Sequence, residues 1–200
     1  AWGVGYAGGL ACLGLCLVLL VLPAVPPFGL DKAQAEHVRA AAVLAGLMKQ
    51  YSQSVNMVNA PFLAKERGLD VREVRHDREG EYRTLVRVTV STSQGERSVA
   101  GTLFGNGQPR LVEIFGIGIE ADLDGDMLYI VNSDAPGFIG RIGTLLGENS
   151  INIGTFHLGR REAGGEAVLL LSLDSPVSEE VLGKAREIQG VRVVKALKFV

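Results

Sequence analysis

Residues 127–200 read MLYIVNSDAPGFIGRIGTLLGENSINIGTFHLGRREAGGEAVLLLSLDSPVSEEVLGKAREIQGVRVVKALKFV, and this stretch decides the fold. MLYIVN is a short apolar run closed by turn residues, which predicts a strand, and GFIGRIGTLLGEN predicts a helix. INIGTFHLGRRE and EAVLLLSLD predict a second and a third strand, SEEVLGKAREIQG a second helix, and VRVVKALKFV a fourth strand. The order is βαββαβ over 74 residues. That pattern is a split βαβ, or ferredoxin-like, unit: four antiparallel strands backed by two helices.

Immediately upstream, EADLDGD carries four acidic residues around Gly125, a composition suited to a solvated connection, so a domain boundary is expected there. Before it, VREVRHD, EYRTLVRVTVST, RSVAGTLFG and PRLVEIFG alternate apolar with polar residues. Gly80, Gly95 and Asn106-Gly107 mark the turns between them. An antiparallel meander with helices on one side is expected. The helices are AQAEHVRAAAVLAGLMKQY and FLAKERG. The first puts Ala35, Val38, Ala42, Leu44, Leu47 and Met48 opposite Lys32, Glu36 and Arg39. The second follows a turn at Pro61 and closes at Gly68. The fold class is therefore α+β: a partial α+β domain with an antiparallel sheet over residues 31–121, then the ferredoxin-like domain over 127–200.

Residues 1–30 are different material, with no Asp, Glu, Lys or Arg before Asp31. The apolar run from Gly9 to Leu22 approaches the ~20 residues that cross a bilayer. Its glycines, the closing Pro23, Pro26 and Pro27, and the lack of flanking Lys or Arg weigh against a membrane anchor. Across the whole chain, 47% apolar and 21% charged residues describe a globular protein, and a net charge of −2 offers no basic field to draw in nucleic acid. Cys12 and Cys16 are too few for a disulfide framework or a zinc site, which makes a reducing, cytoplasmic compartment the expectation.

The chemistry on offer is binding rather than catalysis. Gly116-Ile-Gly118-Ile lacks the third glycine and following helix of a dinucleotide fingerprint, and no phosphate-binding GxxxxGK occurs, so no cofactor is expected in this chain. His37, His76 and His157 have no Ser, Cys or second His at a suggestive spacing. Arg72, Arg75, Arg78, Arg87, Arg97 and Arg110 interleave with Glu73, Asp77 and Glu79, the pattern of a solvated face. Asn132-Ser-Asp134-Ala-Pro136-Gly137 is more informative. Pro136 restricts the chain, Gly137 permits a tight turn, and the following helix presents a partially positive amino end that suits a carboxylate. Asn132 and Asp134 add groups for an ammonium, so both ends of a free amino acid can be held. The alternative is that Asp134 caps the helix. Asn152, taken alone, reads as a turn residue. Gly137-Phe-Ile-Gly140 resembles the GxxG of KH-type RNA-binding loops, but Asp134 and Glu148 flank it with only Arg141 in favour.

Three stretches together, AAVLAGLMKQYSQSVNMVNAPFLAKERG, RSVAGTLFGNGQPRLVEIFGIGIEADL and the run from MLYIVN to LLLSLD, resemble the carboxyl-terminal regulatory region of long-form D-3-phosphoglycerate dehydrogenases. The resemblance implies part of an intervening, allosteric substrate-binding domain followed by an ACT domain. Carried over by residue, the effector pocket falls on Asn132, Asp134 and Asn152, with Pro136 and Gly137 shaping its loop and L-serine as the effector. It further implies homo-oligomers paired through the ACT domains, an anion site that includes Arg110, and an NAD-dependent catalytic half that this chain lacks. Nothing in residues 1 to about 30 shares the resemblance.

Overall fold

A computed structural model describes residues 40–46, 48, 52, 54–72, 74, 82, 85–93, 95–104 and 108–199. The chain forms two compact units: one runs to Val88 and includes Ala100–Arg110, and the other comprises Thr89–Val99 and Leu111–Val200. The expectations placed on residues 1–39, including His37 and the two cysteines, lie outside the described residues, as does His76. Among the described residues no helix is long and apolar enough to cross a membrane.

In the first unit, helix α1 (40–46) buries Ala42, Leu44 and Ala45, with Met48 just beyond, against Val55 and helix α2 (Ala60–Glu66). Of the apolar face expected from the spacing, the described Ala42, Leu44 and Met48 are buried. Pro61 stands inside the first turn of α2 rather than in a turn ahead of it, where its missing N–H costs nothing. Gly68, at φ +71°, ends the helix as expected: its N–H donates to the Lys65 carbonyl at 2.9 Å and that of Leu69 to Ala64 at 3.0 Å.

Strands β1 (Leu85–Thr92), β2 (Gly95–Leu103), β3 (Pro109–Ile114) and β4 (Ile117–Ala121) form a sheet in the order β1-β2-β3-β4, the expected meander. Its membership differs from expectation at both ends. The described residues of VREVRHD (71, 72 and 74) are not strand; Val71 and Val74 are exposed, and Arg72 pairs locally with Asp70 at 2.7 Å. Among the described residues no strand pairs with them to bury the apolar side. Conversely, 117–121, which the expected strand series leaves out and whose last two residues fall in the expected connection, is β4: Ile117, Ile119 and Ala121 are buried while Gly118 and Glu120 are exposed. Phe115 and Gly116 make the tight turn into it with φ +52° and +75°, the pair of positive values a two-residue hairpin of this hand requires.

The second unit contains β5 (Asp126–Ser133), α3 (Phe138–Glu148), β6 (Ile153–Arg160), β7 (Glu166–Leu173), α4 (Glu179–Glu187) and β8 (Val191–Lys198), which is the expected βαββαβ. The sheet order is β6-β7-β5-β8, antiparallel throughout. Leu128 and Ile130 of β5, with Leu169, Leu171 and Leu173 of β7, meet Phe138, Ile142 and Leu146 of α3 and Val181, Leu182 and Ala185 of α4 in one core. The Ser178 hydroxyl caps α4 by accepting from the Val181 N–H at 3.3 Å, a bond of a kind worth about 1 kcal/mol. Met127, Tyr129 and Val131, on the alternate face of β5, are also buried, which explains why MLYIV is continuously apolar.

Strand β4 lies against β6 and β7. The crossing is tight: a Cβ built on Gly159 would stand 2.4 Å from the Gly118 carbonyl oxygen and 2.8 Å from Ile117 Cγ2. Glycine is therefore required at 159 by a neighbouring backbone rather than by its own dihedral angles. Nearby, Arg161 Nη2 donates to the Phe115 carbonyl at 2.7 Å, and the Arg97 guanidinium stands 5.2 Å from the centroid of the Phe115 ring.

Candidate functional site

Strands β5 and β6 both pair antiparallel with β7, so they run in the same direction and their carboxyl ends meet at one end of the sheet. The loop that follows β5, residues 134–137, therefore lies beside the β6–β7 hairpin. Two backbone bonds fasten it: the Asp134 N–H donates to the Gly165 carbonyl at 2.8 Å and the Ser133 N–H to Gly190 at 2.9 Å. Between loop and hairpin opens a cleft of about 480 Å³, a size that accepts a small molecule. Asn132, Asp134, Pro136, Gly137, Leu158 and Arg160 are among the residues that line it.

Gly137 is the N-cap residue of α3, at φ +81°, and no side chain caps the helix. The alternative role for Asp134, as the cap, is thereby removed. The first amide of the helix, that of Phe138, donates to the Ala135 carbonyl at 3.2 Å. The Asp134 carboxylate instead turns to the hairpin, where Oδ2 accepts from Arg160 Nη1 at 2.9 Å and from the Gly164 N–H at 3.2 Å. The Arg160 hydrogen bond, seconded by the Gly164 amide, holds the carboxyl below the usual carboxylate range.

Asn132 sits at the end of β5, where the pairing with β8 shifts register after Val131. It is only 2% exposed. Its Nδ2 donates to the Ser133 carbonyl at 2.8 Å, which fixes the amide because a carbonyl can only accept. Its Oδ1 is buried with no partner. An orphaned buried acceptor costs about 1–3 kcal/mol.

Asn152 is not with these residues. It precedes β6 at the opposite end of the sheet, six residues or about 20 Å of strand from Leu158, with its Nδ2 donating to Asp174 Oδ2 at 2.7 Å. Arg110, on β3, holds its guanidinium 5.3 Å from the centroid of the Phe104 ring. His157 is half-buried within β6. The residue that sequence reasoning missed is Arg160. Its signal lies in topology: the first and second strands of this sheet flank the third and end at the same edge, so a long cationic side chain closing the second strand can reach across to the loop after the first.

A βαββαβ order with the sheet arranged β6-β7-β5-β8 is the ferredoxin-like fold. The preceding part matches the D-3-phosphoglycerate dehydrogenase intervening domain over residues 31–115. Curated D-3-phosphoglycerate dehydrogenases align across most of the chain. The one from Synechocystis is 34% identical over 159 residues, covering 79% of this chain and 29% of its own length. That of Bacillus subtilis is 35% identical over 157 residues, covering 78% and 30%. The solved ACT domain from the GTP pyrophosphokinase of Chlorobium tepidum matches 37% of this chain and 97% of its own, at 23% identity and a TM-score of 0.32. The chain corresponds to the carboxyl-terminal regulatory region of the D-3-phosphoglycerate dehydrogenase family, and it spans less than a third of the length of these curated relatives.

Proposed function

We propose that this region binds a free amino acid, with L-serine as the first candidate, and thereby regulates an NAD-dependent D-3-phosphoglycerate dehydrogenase of cytoplasmic serine biosynthesis. The observation that carries the proposal is the orphaned Asn132 Oδ1 in the cleft wall, beside an ionised Asp134 and the uncapped start of α3. Asn132 and Asp134 take the ammonium, and Pro136 and Gly137 shape the loop. Arg110 is the starting point for an anion site in the intervening domain.

The same reading makes the site a shared one. Strand β6 is an edge of the sheet, with Phe156 38% and Leu158 42% exposed along it. An edge strand of this kind invites pairing with another chain. Antiparallel pairing of two β6 strands about their midpoint at Phe156 would put Asn152 of the partner subunit opposite Arg160, bringing to the cleft the one predicted effector-binding residue that a single chain leaves outside it. The full chain is expected to sediment as a dimer, and Phe156→Lys as a monomer with weakened amino-acid binding. Dimers unaffected by Phe156→Lys would place the interface elsewhere.

Calorimetric titration of the full chain with L-serine tests the binding itself. Asp134→Ala is expected to weaken it tenfold or more, since hydrogen bonds to charged groups contribute about 1.5–3 kcal/mol and 1.4 kcal/mol is a factor of ten. The pH dependence has a definite sign. The folded-state pKa of Asp134 is depressed, so its contributions to stability and binding are complete above about pH 4 and are lost as pH falls through the lowered value. Serine affinity that already declines between pH 7 and pH 5 would show that another group governs the site.

A further inference from the structure

We propose that Arg160 receives the carboxylate of the bound amino acid while Asp134 and Asn132 receive its ammonium. The cleft then recognises a zwitterion by laying it alongside an ion pair the protein has already formed. This rests on the effector-binding reading above and names the residue that selects the ligand class.

The ion pair is only partly used. Arg160 gives Asp134 one bond, from Nη1, out of the five N–H donors of a guanidinium. Asp134 accepts that bond and the Gly164 bond on the same oxygen, Oδ2, so Oδ1 carries neither. The Gly164 amide keeps the carboxylate in place without help from the ligand. The Arg160 side chain is 56% exposed and lines the cleft, within reach of an incoming molecule.

The charge pattern then sorts candidate ligands. A simple anion such as phosphate meets Arg160 but is repelled by Asp134 beside it, and finds an acceptor rather than a donor at Asn132 Oδ1. A simple cation meets Asp134 and Asn132 but is repelled by Arg160. An α-amino acid carries both charges on one carbon and can present each to its opposite. Arginine suits this task because its planar fork engages two acceptors at once, so it can hold Asp134 and a ligand carboxylate together. The exposed Ile139 and Leu158 give the far wall an apolar surface for the rest of the ligand.

The test titrates the full chain and Arg160→Gln with L-serine and with ethanolamine, which is serine without its carboxylate. The wild type is expected to prefer serine by tenfold or more. Arg160→Gln should lose serine affinity by a similar factor, keep its weak ethanolamine affinity, and so no longer tell the two apart. A purely structural role for Arg160 would lower both affinities by one factor and preserve the ratio, which overturns the assignment. Serine binding to Arg160→Gln at wild-type strength also overturns it, while leaving the effector reading intact. A wild-type chain that binds no α-amino acid from a panel of the twenty overturns both.

Discussion

Gly159→Ala is expected to lower the thermal midpoint of the chain by several degrees and to remove hydrogen-exchange protection from β4. The added methyl would sit 2.4 Å from a backbone oxygen, that of Gly118, and 3.2 Å from Ile119 Cβ, so no side-chain rotation relieves it. One strand must move away from the other. Overpacking of this kind costs typically about 1–3 kcal/mol, and each kcal/mol shifts the midpoint of a small domain by roughly 4–8 °C. Gly118→Ala is the matched control. A Cβ on that residue, across the same crossing, meets nothing within 4 Å and should change little. Equal effects from the two substitutions would mean that β4 is not seated on β6 as described.

Ile142→Ala should be costlier still. Ile142 is fully buried between α3 and the sheet, and removing a buried aliphatic side chain down to Cβ costs about 2–5 kcal/mol through lost transfer energy and the cavity left behind. The same helix carries the cleft at its amino end, so its seat on the sheet sets where Gly137 and the first-turn amides stand. Urea denaturation should show the loss of stability, and calorimetry a weaker serine affinity even where the variant remains folded. A destabilisation below about 1 kcal/mol would contradict the packing of this core.

The two halves of the chain differ in how openly their sequences state their structure, for physical reasons. In the βαββαβ unit every element has its own period, and the buried-on-both-faces strand MLYIV can hardly be anything else, so both fold and order follow from residues 127–200. Around the meander the signals are weaker. Ile117, Ile119 and Ala121 do alternate, but Gly116 and Gly118 obscure a strand that follows a tight turn and approaches another backbone closely. VREVRHD alternates equally well, yet Val71 and Val74 are exposed and no described strand receives them. At the site, Asn132, Pro136 and Gly137 could be picked out by type and order. The partner of Asp134 could not, because Arg160 lies 26 residues away and reaches it only once the strands have been laid side by side.

Arg160 and Arg161 are consecutive, yet each grips a different body: Arg160 the Asp134 loop, Arg161 the carbonyl of Phe115 in the turn between β3 and β4. Each guanidinium sits at the end of its own flexible side chain, so the two grips are separable. Arg161→Ala would free the carbonyl of a non-glycine residue held at φ +52° while leaving the Arg160–Asp134 pair in place. The hairpin that follows β6 therefore works as a clasp with two independent hooks, one on the cleft loop and one on the β3–β4 turn.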